Sequence, residues 1–483
     1  MFDYNKLHVL LRPLGLLLRQ VMLTRLRVQG FKNLLDVEVR FGPFTCIAGH
    51  NAAGKSNLFD AITFLSLLAK FPIMEAVSHL RASKVSSTDG NDLLTKCGDY
   101  KANEIRFTAD MVVDRHAEDD FGVTVDASIS SMRYEVAFQE SDKVSGGLIM
   151  THESLKPLRI GDARKTIGFD HSPHFRKIVA GRRTVDFIST NKSGEITIHQ
   201  EGHGGRKLPA TRSSRTVLSG SANADFASVL AAHREMASWR SLMLEPSAMR
   251  SPSQYNEPRY IDERGAYLPN TLYRLGRIGD SLESINADIA NRLSTLVDDV
   301  RSIRIVEDDR YETRTLEVCG RDGIFRSARS LSDGTLRFLV LAALENDSEL
   351  TGVLCLEEPE NGIHPERISA MVELLRDIAV DETMEIDEDN PLRQVIINTH
   401  SPLVVQSMNP GELIYMEQGV WSDGKSSGVI GRTFVREDTW RGKLLSDSNQ
   451  LAPGMMKSYV GDPSAINEQR RLWTDWVTSE NGH

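Results

Sequence analysis

The densest chemistry in the chain lies in ten residues, Ala48 to Asn57 (AGHNAAGKSN). Gly49, Gly54, Lys55 and Ser56 fit the spacing G-x-x-x-x-G-K-[ST]. Small residues let backbone N–H groups close around a phosphate, and a helix starting near Lys55 points its positive end at that phosphate. Lys55 is placed to reach the β- and γ-phosphates of ATP, and the Ser56 hydroxyl to hold Mg²⁺. Asn51 and Asn57, in the same stretch, complete the candidate nucleotide-binding set. A plain glycine turn between a strand and a helix is the ordinary alternative for such a motif.

Three later stretches can supply the rest of a nucleotide site. Leu331-Ser332-Asp333-Gly334-Thr335 precedes an apolar helix, Leu336 to Leu344. Ser332 is a natural N-cap, Gly334 permits close backbone approach, and the helix end is an anion site; any capped helix shares these features. Val353-Leu354-Cys355-Leu356-Glu357-Glu358 is a buried apolar run ending in two carboxylates. Glu357 suits the shell of Mg²⁺, and Glu358 suits orienting or deprotonating the attacking water. Gln394 to Thr399 is a further apolar strand that ends at His400, a side chain able to hydrogen-bond a γ-phosphate. Taken singly, two exposed glutamates and one histidine at strand ends are ordinary structural residues.

These groups need elements to hold them. Phe44 to Ala48 is an apolar run of strand length, and Leu58 to Leu68 is helical, so the order around the loop is strand, loop, helix. Before it, Leu23 to Val28 and Leu35 to Phe41 alternate as strands around a turn at Phe31-Lys32-Asn33, with Leu35, Val37, Val39 and Phe41 on one face. Ala82 to Asp99 is polar and turn-rich. Strand-like segments then follow at Glu104–Val113, Phe121–Ile129, Met132–Phe138, Leu148–Thr151, Lys165–Phe169, Phe175–Val179, Thr184–Ser189 and Ile196–His199, which predicts an antiparallel β region. From Lys156 to Arg215 it is rich in Arg and Lys, among them Arg159, Arg164, Lys165, Arg176, Lys177, Arg182, Arg183, Arg206, Lys207, Arg212 and Arg215. That surface is either a solvated hairpin face or a face for a partner or nucleic acid. Asn223–Met243 and Asp280–Val300 read as helices, Arg250–Pro258 as a loop, and Arg304–Glu307 and Thr313–Val318 as strands.

The chain has 483 residues, ordinary globular composition and a net charge of −10, which argues against general coating of nucleic acid. Cys46, Cys97, Cys319 and Cys355 are scattered without C-x-x-C spacing, which is cytosolic usage, with Cys46 and Cys355 in runs that read as core strands. Met1–Val21 is apolar but too short and interrupted to span a membrane, and reads as a short amphipathic helix or as sequence ahead of a start at Met22. The division expected is 1–21 as an N-terminal extension, 22–138 as a first ATPase lobe, 139–260 as a β-hairpin and helical insertion, 261–420 as a second lobe, and 421–483 as a C-terminal extension.

The order of motifs, Gly49–Ser56, Leu331–Thr335, Val353–Glu358, the D-loop-like Glu360–Pro365 (ENGIHP) and His400, resembles that of ABC-type ATPases, and among them the RecF/SMC-like heads. The resemblance covers most of Met22 to about Met416 and implies an α/β P-loop NTPase of ABC head type, two-lobed, with an antiparallel β-rich insertion. It is similar to the ATPases found with overcoming-lysogenisation-defect nucleases and with anti-phage systems such as Septu. The resemblance implies a homodimer around two ATP molecules, with Ser332 and Gly334 of one copy facing Lys55 of the other. It implies an ATP-hydrolysing enzyme in the cytoplasm, with Glu358 and His400 catalytic and a separately encoded effector such as a nuclease as partner. A RecF-like repair protein acting on DNA is the second reading. A transport ATPase is the third, and the β-rich insertion and ENGIHP segment count against it. Departures are the LSDGT signature, Glu357 in place of the usual aspartate, Gln139 as the sole candidate for a Q-loop, and a stretch after Val420 too short for a nuclease domain.

Overall fold

Apolar runs in this chain take two forms, and each dictates a different sheet. Strands buried on both faces read as continuous apolar runs, whereas strands with one wet face alternate. The computed structural model describes residues 21–80, 90–141, 147–162, 167–199, 206–210, 213–278, 281–297, 300–387 and 389–445. In chain order β1 (Met22–Phe31), β2 (Leu34–Arg40) and β3 (Phe44–Ala48) lead into helix α1 (Lys55–Lys70). Next come β4 (Ile105–Val112), β5 (Ser131–Glu140), β6 (Leu148–Pro157), β7 (Ile188–Thr190), β8 (Glu195–Ile198) and β9 (Arg206–Pro209). Helix α2 (Ala227–Ser238), β10 (Arg240–Leu242), α3 (Leu268–Ile278), α4 (Leu282–Leu296), β11 (Ser302–Asp308) and β12 (Thr313–Cys319) follow. The chain continues through α5 (Asp333–Glu345), β13 (Gly352–Glu357), α6 (Ile368–Ile378), β14 (Arg393–Thr399), β15 (Leu413–Ser422) and β16 (Ser427–Phe434).

The alternating strands build one eight-stranded antiparallel sheet in the order β9-β8-β7-β6-β5-β4-β1-β2. The continuous runs build a six-stranded sheet in the order β10-β13-β14-β3-β15-β16, parallel except for the last pairing. Alternate residues of its central strands enter two separate cores. Ile47, Val353, Cys355 and Ile396 share one with α1, α2 and the antiparallel sheet, while Cys46, Ala48, Leu354, Leu356, Val395 and Ile397 share the other with α3 to α6. Helix α1 is therefore sandwiched between the sheets. Its Phe64 meets Phe31, Phe107 and Phe138 at ring separations of 5.8–6.2 Å, and aromatic pairs at such spacing add to burial.

Several expected elements differ. The helix expected over Asn223–Met243 stops at Ser238, and Arg240–Leu242 becomes the edge strand β10 beside β13. Ser66 Oγ donates to Trp239 O and Trp239 Nε1 to buried Glu235, so tertiary bonds turn the chain there. Phe175–Val179 is a 3₁₀ turn over Phe175–Ile178 rather than a strand. Ser172 Oγ accepts the Phe175 N–H, and Phe175 and Ile178, three apart, are both buried, which is helical spacing. The Phe121–Ile129 run splits into a small hairpin, His116–Glu118 with Thr124–Asp126, because Asp119 Oδ1 accepts the N–H groups of Phe121 and Val123. Leu34, not Leu35, opens the buried face of β2, since it pairs with Phe31 across the turn. Helix α3 went unread in the sequence, its apolar positions being interrupted by Pro269, Asn270 and Arg274.

The N-terminal 1–20 and the C-terminal stretch beyond Leu445 lie outside the described residues, as do 163–166, which include Arg164 and the first two residues of the Lys165–Phe169 run, whose remaining three form no strand. All four cysteines are free and buried, as expected of core residues. No helix among the described residues is long and apolar enough to cross a membrane.

Candidate functional site

Three neighbouring parallel strands bring the sequence motifs to one edge. In the register of the sheet Thr399 of β14 lies beside Ala48 of β3, and Asn398 lies beside Glu357 of β13. The phosphate loop, His400 and the Glu357-Glu358 pair therefore leave the sheet side by side at its carboxyl end, where open α/β sheets bind ligands.

The loop is shaped by what glycine permits. A Cβ on Gly49 would lie 2.0 Å from Met416 O, and one on Gly54, at φ 104°, 2.6 Å from Asn33 Oδ1. The strand β15 and the β1–β2 turn thus press on the loop from outside. Asn57 Nδ2 donates to the same Asn33 Oδ1 at 2.8 Å, and Gln418 Nε2 to Ala52 O at 3.1 Å. Lys32 pairs with buried Asp60 of α1 at 2.6 Å. Asn51 is exposed at the tip, and Ser56 is half-buried as the second residue of α1.

Lys55 is the first residue of α1 and is buried, with its Nζ donating to Gly49 O at 2.6 Å and His50 O at 2.8 Å. Burial lowers its pKa, opposed by the charges of Glu358 and Glu360. A desolvated ammonium held, among the described residues, by two carbonyls of its own loop is a donor that suits a phosphate, which offers it more than two neutral oxygens do. The cradle that added Cβ atoms would fill and this lysine fit a nucleotide phosphate. For Mg²⁺ the fitting donors are the Ser56 hydroxyl and Glu357, with the remaining ligands drawn from phosphate and water, as that ion prefers. Among the described residues no group of three His, Cys, Asp or Glu forms a metal cluster.

Glu358 adopts φ 44°, a conformation uncommon for a residue with a side chain, and its N–H donates to Asn398 Oδ1 at 3.0 Å. Its carboxylate accepts from Asn361 Nδ2 at 2.9 Å and bonds His400 Nδ1 at 3.0 Å. The His400 hydrogen bond, with Asn361, holds Glu358 down at about 2, and raises His400 in turn. The two side chains that the sequence marks as catalytic candidates, 42 positions apart, are thus in contact. Behind them Glu360 is 4 % exposed and accepts from Thr399 Oγ1 at 2.5 Å, and burial raises its pKa.

Ser332 caps α5, accepting the Thr335 N–H at 3.2 Å, and is exposed. Among the described residues its hydroxyl bonds only Thr335. Gly334 abuts the ENGIHP segment, where an added Cβ would lie 3.0 Å from Gly362 O. Within one chain, then, the Ser332 end of α5 leans on the turn after Glu358, and among the described residues its hydroxyl bonds stay within its own turn. Gln139 lies exposed within β5 rather than in a loop after it. Of the basic stretch, Arg159, Arg176, Lys177 and Arg182 are exposed, Lys156 pairs with Glu135, and Arg183 stacks on Phe187. Arg164, Lys165, Arg212 and the side chains of Arg206 and Lys207 are outside the described set.

Sequence reasoning did not find Asn33, Asn361, Asn398 or Arg250. Asn361 was within sight, three positions after Glu358. Asn33 bears on the loop only because β1 and β2 fold back across α1, a juxtaposition that no local pattern announces.

Two AAA-domain families match the chain, one described as "AAA domain" over residues 25–207, the other as "AAA domain, putative AbiEii toxin, Type IV TA system" over residues 209–406. No curated protein matches the sequence. Similar solved structures include an SMC head bound to the C-terminal winged-helix domain of ScpA, at 13 % identity and TM-score 0.44, covering 85 % of this chain and 98 % of that one. An SMC head with extended coiled coil, bound to the C-terminal domain of ScpA derived from Pyrococcus furiosus, matches at 11 % identity and TM-score 0.42, covering 85 % and 96 %. The SMC head domain from Thermotoga maritima matches at 14 % identity and TM-score 0.34, covering 85 % and 98 %. All three TM-scores lie below 0.5, so the site rests on its own residues and on the AAA-domain matches. The fold is that of an α/β P-loop NTPase with an added antiparallel β-rich sheet, and the AAA-domain matches support ATP hydrolysis in general.

Proposed function

We propose that this chain binds and hydrolyses ATP, pairs head to tail around two ATP molecules, and through that pairing controls a separately encoded effector such as a nuclease in bacterial anti-phage defence in the cytoplasm. The observation that carries the ATPase part is the convergence of the phosphate loop, Glu358 and His400 on three adjacent strand ends, with Glu358 and His400 in contact at 3.0 Å. In this reading Gly49, Asn51, Gly54, Lys55, Ser56 and Asn57 hold the nucleotide, and Lys55 exchanges its two loop carbonyls for phosphate oxygens. Bound Mg²⁺, held through Ser56 and Glu357, would neutralise charge on the β- and γ-phosphates. Glu358, fully charged at neutral pH, orients the attacking water. His400 fixes that carboxylate through Nδ1 and would stand beside the γ-phosphate.

The pairing part rests on Ser332 and Gly334. They present a capped helix end whose described hydrogen bonds stay within its own turn, and the resemblance to ABC-type heads implies a second copy's nucleotide there. The defence context rests on resemblance, together with the match of residues 209–406 to the family described as "AAA domain, putative AbiEii toxin, Type IV TA system". Co-purification of the protein with its natural partners tests it: a nuclease or comparable effector bound in an ATP-dependent manner is expected, and membrane subunits in its place would contradict it. A second reading, a RecF-like ATPase acting on DNA, is favoured by the exposed Arg159, Arg176, Lys177 and Arg182. ATP-dependent, salt-sensitive binding of duplex DNA by the purified protein would select it.

A further inference from the structure

Asp333 is the discordant residue of the Leu331–Thr335 segment. It places a carboxylate in the first turn of α5, beside Ser332. A carboxylate there favours the helix itself. It also repels any phosphate brought to the same end, since like charges set against each other oppose association.

The structure shows what offsets that charge. Arg250 Nη2 donates to Asp333 Oδ1 at 2.5 Å and to Leu331 O at 3.0 Å, gripping the segment on both sides of Ser332. The two side chains are 29 % and 17 % exposed, so water screens the pair only in part. Arg250 is itself anchored, its N–H donating to Pro246 O at the end of the helical turn Pro246–Met249. On the other side, a Cβ at Gly362 would lie 3.2 Å from Asp333 Cβ. Asp333 is thus flanked by Arg250 and by the turn that follows the Glu358 strand.

We propose that Arg250 is a positioning residue for nucleotide-dependent pairing: by neutralising Asp333 and fixing Leu331 O, it lets the Ser332 end of α5 receive the γ-phosphate of ATP held by a second copy of this chain. The proposal rests on the head-to-tail reading given above. An ion pair of this exposure contributes little to stability by itself. The consequence is therefore expected in association and not in folding.

The experiment uses the full chain carrying Glu358→Gln, which is expected to retain ATP, and reads ATP-dependent association by light scattering. Arg250→Ala should weaken that association roughly tenfold, in line with uncompensated like charge at an interface. ATP binding by the unpaired protein, followed with a fluorescent analogue, should move by no more than about twofold, because the phosphate loop is not altered. Adding Asp333→Asn to Arg250→Ala should recover most of the loss, since the charge that needed offsetting is gone. Arg250→Gln, which keeps a donor for Leu331 O but no charge, covers the case in which Arg250→Ala does not fold, and should weaken association likewise. If Arg250→Ala and Arg250→Gln pair as tightly as their parent, the proposal is overturned. A loss that Asp333→Asn fails to recover overturns it too, and marks Arg250 as a structural latch. If the parent shows no ATP-dependent association, the head-to-tail reading fails and takes this proposal with it.

Discussion

Two shielded carboxylates, one in each sheet, are treated oppositely by the fold. Glu358, at the end of the parallel sheet, is held down at about 2, first by its hydrogen bond to His400. Glu153, inside the antiparallel sheet, is fully buried and accepts from Tyr134 Oη at 3.0 Å and from the N–H groups of Val217 at 2.6 Å and Leu218 at 2.9 Å. Despite those three donors, burial pushes it up to about 7. Both have hydrogen-bond donors. What differs is a partner able to carry positive charge and access to water, and those decide whether a carboxylate stays charged. Glu358 is thus kept charged, whereas Glu153 ties β6 to the residues after β9.

The comparison is broken most forcefully at the site. Glu358→Gln should cost roughly 10²- to 10⁴-fold in ATP turnover while leaving ATP binding intact, the range of a lost acid–base or water-orienting group. Steady-state phosphate release and equilibrium nucleotide binding check it, and undiminished turnover would remove Glu358 from the chemistry. Lys55→Ala should weaken ATP binding by about 100-fold, as expected when a buried charge-assisted phosphate contact is lost. Binding that survives would mean the nucleotide sits elsewhere.

In the other sheet the effect is on stability. Glu153→Gln should destabilise the fold by about 2–3 kcal/mol, because its amide must set an N–H₂ against N–H donors in a dry core. Chemical unfolding at pH 5 checks it, and turnover per folded molecule should hold. The pH dependence sharpens the contrast. The folded value of Glu153 lies above the ordinary carboxylate value of 4.5, so its contribution is complete below about pH 4.5 and is lost as pH rises through about 7. For Glu358, whose folded value is lower than 4.5, the contribution is present above that value and is lost as pH falls toward 2. Unfolding measured from pH 4.5 to 7.5 should show a downward slope with rising pH that Glu153→Gln reduces, by on the order of 3 kcal/mol across the window. An unchanged slope would mean that Glu153 is charged throughout.

The smallest expected effect concerns the basic surface. Reversing Arg176, Lys177 and Arg182 to Glu should leave turnover within about twofold, since exposed substitutions away from a site seldom reach it. It should weaken capture of a partner or of duplex DNA, more at low salt than at high. Unchanged capture at both salt levels would leave these residues as a solvated face.

The site was more legible in the sequence than the fold around it. Gly49 to Ser56 and the apolar runs ending at Glu358 and His400 are local signals, and backbone geometry at a loop or a strand end depends chiefly on a few successive residues. The strands at Phe44–Ala48, Gly352–Glu357 and Arg393–Thr399 followed from continuous apolar runs for the same reason. Distant contacts hid the rest. Arg240-Ser241-Leu242 is too short and polar to announce a strand, and pairing with β13 makes it one. The spacing of Phe175 and Ile178 fits a turn of helix as well as a strand end, and a serine cap decides between them. Asn33 and Arg250 touch the motif segments across long stretches of chain, and nothing near either residue marks it.

Pairing around ATP is the central claim, and a mixture of two inactive variants tests it most directly. Ser332→Arg gives up an N-cap worth about 1 kcal/mol and fills the exposed helix end with a bulky cation, leaving Lys55 and Ser56 untouched. Lys55→Ala keeps the helix end and loses the phosphate. With Glu358→Gln in both chains to hold ATP, neither variant should pair alone. In the mixed dimer one composite site carries both lesions and the other carries none, so light scattering should show ATP-dependent pairing returning on mixing. If mixing restores nothing, or if either variant without Glu358→Gln hydrolyses ATP normally as a monomer, the two-site sandwich is wrong for this protein.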